Sequence, residues 1–185
     1  MRRVTTVASE MIPIRLLMSI AIVAAITIMI VAGHSVLCVI LAEHHLESQC
    51  LSLESTLYSM VQSGVARDID EVGAFEGTKR TYTLDLPDSL LYLSFGVDPD
   101  SNNDGILEPG LTSDGSIVCY KVSGGSKQVK WLPEEDIRFR KGNYTQGKWT
   151  IGGTGEGLIL TSEGTITLTF ELVERNHEKF ILVYW

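Results

Sequence analysis

The chain has 185 residues and a formal charge of −8, but that charge is divided unevenly. Residues 1–42 hold Arg2, Arg3 and Arg15 against Glu10, a balance of +2, while residues 43–185 carry −10. An acidic bulk has no electrostatic means of gripping phosphate backbones, so nucleic acid is not expected as a partner. The length leaves room for one modest domain beside a membrane segment.

Leu16–Ala42 is a run of 27 residues without Asp, Glu, Lys or Arg, rich in Ile, Val, Ala, Leu and Met. As a helix it would extend about 40 Å, more than the ~30 Å hydrocarbon core of a bilayer. A cleaved signal carries an apolar region of only about 7–15 residues before a small-residue cleavage site. The run is therefore expected to be a retained transmembrane helix over 13–42, with Pro13 in its first turn, where a missing N–H costs nothing. Positive charge lies on its N-terminal side, and Glu43 and Glu47 flank its exit. The positive-inside bias places residues 1–12 in the cytoplasm and the remainder outside the plasma membrane. His34, with Gly33 and Ser35, marks either a contact with another helix or the headgroup level. Cys38, within the run, serves as a small hydrophobe.

Helical patterning continues beyond the lipid. Leu46, Cys50, Leu53, Leu57, Met60 and Gly64 recur at steps of four and three, a seam of the kind that packs one helix face. One helix from about Pro13 to Arg67 is predicted, its outer half (43–67) standing as a stalk. The seam is shorter than three heptads, which favours packing on the chain's own domain over contact with another copy. Residues 68–77 are expected to be a linker.

From Thr78 the periodicity changes to two. Strands are predicted at 81–86, 90–97, 116–122, 128–132, 137–140, 148–151, 157–160, 165–173 and 179–185, punctuated by Pro87-Asp88-Ser89, Gly124-Gly125-Ser126, Gly152-Gly153, Ser162-Glu163-Gly164 and Arg175-Asn176-His177. Short strands at this spacing suggest hairpins in an antiparallel β-sandwich-like domain over 78–185, so the class is α+β. Cys50 and Cys119 would face an oxidising exterior, and the sequence leaves open whether they form a bridge.

The most pointed motif outside the helix is Asp100-Ser101-Asn102-Asn103-Asp104-Gly105-Ile106-Leu107-Glu108. Oxygen side chains at relative positions 1, 3 and 5 and Gly at 6 match the first half of an EF-hand-type loop. Asp100, Asn102 and Asp104, the Ile106 carbonyl and Glu108 are thus candidate Ca2+ ligands, although Leu111 stands where a bidentate Glu is expected. The competing reading is an Asx-rich surface turn. His44 and Glu47 share a helix face at i, i+3, but two ligands do not make a metal site. Asn143-Tyr144-Thr145 is an N-glycosylation sequon. No nucleophile elbow, Walker loop or zinc-binding helix occurs. Gly152-Gly-Thr-Gly-Glu-Gly157 lies between strands and reads as a hairpin connection, and Glu134-Glu135-Asp136 reads as solvated charge. No enzymatic activity is expected.

Arg2-Arg3, followed by Ala8-Ser9-Glu10 and then by a long apolar helix, an amphipathic stalk and a β-rich domain, resembles archaeal type IV pilin-like proteins. The resemblance covers the whole chain as architecture. It implies that the apolar helix anchors the subunit and then packs laterally with other pilin-like subunits. Val4 replaces the Gly or Ala usual after the basic pair, and Arg15 puts a charge early in the helix. These departures imply a surface accessory rather than a major filament subunit. The expectation is a membrane-anchored, non-catalytic cell-surface structural or interaction protein. The alternative is a tethered extracytoplasmic binding module with a calcium-stabilised loop.

Overall fold

A computed structural model describes residues 11–185 other than 72, 113–114, 133–136 and 154. The basic and acidic residues Arg2, Arg3 and Glu10, and the Glu134-Glu135-Asp136 run, lie outside the described residues. The architecture is α+β: among the described residues, one N-terminal helix is followed by ten strands in two sheets.

Helix α1 spans Met11–Ser63, 53 residues without a break, which at 1.5 Å per residue is about 80 Å long. Its two halves are covered differently. From Ile14 to Cys38 every side chain is exposed, although most are Ile, Val, Leu, Met or Ala. The hydroxyls in this stretch turn back onto the helix: Ser19 donates to the Arg15 carbonyl at 2.9 Å, Thr27 to Val23 at 2.8 Å and Ser35 to Ala32 at 2.9 Å. Such back-bonding hides the polar groups that an apolar surrounding would penalise. The helix is long and apolar enough to cross a membrane.

Burial begins at Val39 and Ala42, which pack against the core, and becomes complete at Leu46. The helix ends where Gly64 follows Ser63. The Gly64 N–H bonds the Met60 carbonyl at 2.8 Å, and a Cβ at Gly64 would collide with that same oxygen. Thr78 then holds the chain leaving the helix, its hydroxyl accepting from the Val65 N–H at 2.8 Å.

Strands β1 (Arg67–Asp68), β2 (Lys79–Leu86), β6 (Phe139–Thr145), β7 (Lys148–Ile151), β9 (Gly164–Arg175) and β10 (Glu178–Tyr184) form a six-stranded sheet. The 12-residue β9 organises it: β10 lies antiparallel along one edge, and the other edge carries β2 antiparallel and then β1 parallel. Strand β10 pairs parallel with β6, so this sheet is mixed. Strands β3 (Leu90–Phe95), β4 (Ile117–Val122), β5 (Gln128–Trp131) and β8 (Leu158–Leu160) form a fully antiparallel four-stranded sheet, ordered β5-β4-β3-β8.

The expectation of an all-antiparallel domain is therefore corrected by two parallel pairings. Both join segments distant in the chain, and β1 falls where the sequence reads as helix end and linker. A strand of two residues has too little alternation to be seen, and its pairing is imposed by the long β9 beside it.

One hydrophobic core joins the helix to inward-facing residues of both sheets. At its centre Phe95 of β3 meets Phe139 of β6 and Phe170 of β9 edge-on, with ring centroids 5.4 and 5.7 Å apart. Because successive strand residues point to opposite faces, Leu168, Phe170 and Leu172 enter this core, while Thr169, Glu171 and Val173 belong to the outer face of the six-stranded sheet. Polar clamps fix the helix. Gln49 donates to the Asp85 carbonyl at 2.9 Å and accepts the Asp85 N–H at 2.8 Å, and Lys130 reaches Glu54 at 2.6 Å.

Candidate functional site

The seam residues Leu46, Cys50, Leu53, Leu57 and Met60 are all buried, at most 5% exposed, in the shared core of helix and sheets. They hold the stalk to the head. The opposite face of the stalk leaves Leu51 and Tyr58, one heptad apart, exposed to solvent.

The three cysteines are free. Val118, Tyr120 and Val122 of β4 face the helix and its Cys50, whereas Ile117 and Cys119 face the other side with Tyr92 and Ile159. Alternation along β4 thus separates the two thiols. Burial pushes both Cys50 and Cys119 up to about 12, so each stays a neutral thiol. Cys38 lies beside His34, with Sγ 3.6 Å from Nδ1, one turn apart on the exposed part of the helix.

The Asp100–Glu108 loop closes on protein groups. Asp100, 3% exposed, accepts the Gly105 N–H at 3.1 Å and lies 3.6 Å from the Lys121 ammonium. Lys127 binds the Asp98 carboxylate at 2.8 Å and the Asp100 carbonyl at 3.0 Å. Asn102 donates to Asp104 at 2.8 Å, and Asp104 accepts the Ile106 N–H at 2.7 Å. Glu108 is exposed, and its N–H bonds the Pro99 carbonyl at 2.8 Å. Of the oxygens proposed as Ca2+ ligands, those of the Asp100, Asn102 and Asp104 side chains are engaged in turns within the loop, and the Asp100 carboxylate also faces Lys121 of β4. Among the described residues no group of three or more His, Cys, Asp or Glu side chains is placed to hold a metal. His44 and Glu47 are exposed, and the ionic contact in that turn is His45 with Asp85 at 3.6 Å. Asn143 is exposed on β6 at the start of the β6–β7 hairpin.

A cleft on the outer face of the six-stranded sheet brings together residues that the sequence did not single out. Its volume is about 610 Å3. Arg67 of β1 and Glu171 of β9 form its most buried part, at 7% and 1% exposure. Arg67 Nε donates to Glu171 Oε1 at 2.7 Å, and Nη2 donates to Oε2 at 3.3 Å and to the Trp149 carbonyl at 2.8 Å. Glu171 also accepts the Tyr184 hydroxyl at 3.3 Å and the Gly77 N–H at 3.4 Å. Gly77 is required here, because a Cβ would collide with the Leu172 carbonyl. Burial, followed by the Glu171 charge, pushes the Tyr184 phenol upward and keeps it a neutral donor.

The cleft wall is aromatic. Trp149 of β7 stacks on Tyr184 of β10, with centroids 4.1 Å apart and planes 13° from parallel, and Tyr144 of β6 meets Trp149 edge-on at 5.3 Å. Lys79, Lys148, Thr81 and Thr169 supply polar rims, with Lys79 held by Glu76 at 2.8 Å. The signal in the sequence was faint: Glu171 is the lone acid within the strand Thr165–Val173, but it occupies the alternate register shared by three threonines and reads as solvated. Arg67 reads as the last residue of a helix.

Comparison of the chain with protein-family models, with curated proteins and with solved structures found no match.

Proposed function

We propose that the protein is a single-pass, membrane-anchored, non-catalytic component of the cell surface, of pilin-like type, with its N-terminus in the cytoplasm and a sandwich-like head outside. The observation that carries this reading is the division of one unbroken helix. Its N-terminal part is apolar yet exposed, and its C-terminal part is buried in the head by the Leu46–Met60 seam. A helix exposed all round with such side chains calls for an apolar surrounding. The same fusion makes the head rigid on its anchor, as a subunit that transmits force or spacing from membrane to surface requires. The exposed Leu51 and Tyr58 give the outer stalk face an apolar stripe for lateral contact with other pilin-like subunits.

The acidic balance of residues 43–185 accords with a surface that repels nucleic acid and anionic headgroups. Intact-mass analysis of the protein isolated from native membranes tests the assignment. Removal of the residues preceding the apolar helix is the result expected of pilin-type processing. A full-length chain would instead favour a tethered module that does not enter a filament.

A further inference from the structure

We propose that the cleft between β1, β7, β9 and β10 is a binding site for an acidic saccharide, a run of uronate sugars whose carboxylates meet Arg67 and Lys148 and whose ring faces rest on Tyr144 and Trp185. Three cations, Arg67, Lys79 and Lys148, line the cleft against two carboxylates, Glu76 and Glu171. Both carboxylates are already engaged, Glu76 by Lys79 and Glu171 by Arg67 and Tyr184. Lys148 has no carboxylate partner among the described residues. A local positive excess on a domain of charge −10 selects an anion at that spot.

The guanidinium supplies the specific contact. Arg67 is 93% buried and uses Nε and Nη2 within the protein, while Nη1 makes no hydrogen bond there. The residue itself lines the cleft. A buried guanidinium held on one side by Glu171 presents its remaining edge to a ligand oxygen in a fixed direction.

The aromatic wall adds the ring chemistry. The Trp149–Tyr184 stack is pinned by the Tyr184–Glu171 hydrogen bond, so the wall is preorganised. Tyr144 and Trp185 project from it at 61% and 63% exposure. Beyond the wall a second hollow of about 380 Å3, reached by Lys141 and Trp185, shares Tyr144, Trp149 and Tyr184 with the first. Two adjoining hollows with cations in each and aromatic faces between them suit linked rings bearing carboxylates. A single small anion would leave the aromatic faces unused, and a neutral sugar would leave Lys148 without an anionic partner.

The test uses the full chain in lipid nanodiscs, titrated by calorimetry with hexagalacturonate, its carboxyl-reduced neutral counterpart and hexaglutamate. The expected result is saturable binding of hexagalacturonate, weakened at least tenfold by carboxyl reduction. Lys148→Ala and Tyr144→Ala should each weaken it at least tenfold, Lys148→Ala without moving the melting temperature, since that side chain is exposed. Absence of hexagalacturonate binding, equal binding of hexaglutamate, or indifference to both substitutions would overturn the proposal.

Discussion

Arg67 and Glu171 form a buried ion pair in the head. Each carries a charge almost wholly removed from water, and each is compensated by the other together with Trp149, Gly77 and Tyr184. Removing one partner strands the other charge, so Glu171→Ala should destabilise the head by about 3–5 kcal/mol in urea unfolding. Replacing both, as in Arg67→Met with Glu171→Leu, should cost less than Glu171→Ala alone, because no charge is left buried.

The thiols give a second residue-level expectation. Cys50 and Cys119 sit near 12 when folded and return to about 9 when unfolded. Above about pH 9 the unfolded chain sheds thiol protons that the folded chain keeps. The contribution is therefore full below pH 9 and is lost as pH rises toward 12. Tyr120, also pushed up to about 12 by burial, acts in the same direction. The urea midpoint should fall across that window, and the Cys50→Ala, Cys119→Ala double variant should show a shallower fall.

At the scale of elements, the helix is two objects in one. Leu57, 1% exposed in the shared core, should cost about 2–5 kcal/mol when cut to Ala, whereas Leu51→Ala on the outer face should leave the unfolding midpoint unchanged. The seam was legible in the sequence because the steps of four and three record one helix face directly. Strands such as β2 and β9 were legible for the same reason, at period two. What escaped was information carried by distant pairings. The parallel contacts of β10 with β6 and of β9 with β1 leave no local trace. The Asp100 loop shows the same limit: its oxygen spacing resembles half of a calcium loop, and Lys121 arrives from elsewhere in the chain to lie 3.6 Å from the Asp100 carboxylate. The cleft was invisible in outline because Arg67, Trp149, Glu171 and Tyr184 come from four strands. Each alone reads as ordinary surface or core.

For the whole molecule, the asymmetry of charge and covering leads to one arrangement: an apolar rod and an acidic head fixed to it. A charge placed midway along the exposed rod should defeat insertion, so Ile28→Arg should cost about 2.5–3.5 kcal/mol of insertion free energy and move protein from the membrane to the soluble fraction. Orientation is the more searching question, and the sequence provides its own reporter. Every lysine lies at Lys79 or beyond, within the head. The decisive measurement is labelling of intact cells with a membrane-impermeant lysine reagent, followed by mass spectrometry of the head. The account predicts that exposed Lys148 and Lys179 are modified as fully in intact cells as after lysis. Modification that appears only after lysis would put the head in the cytoplasm and contradict it.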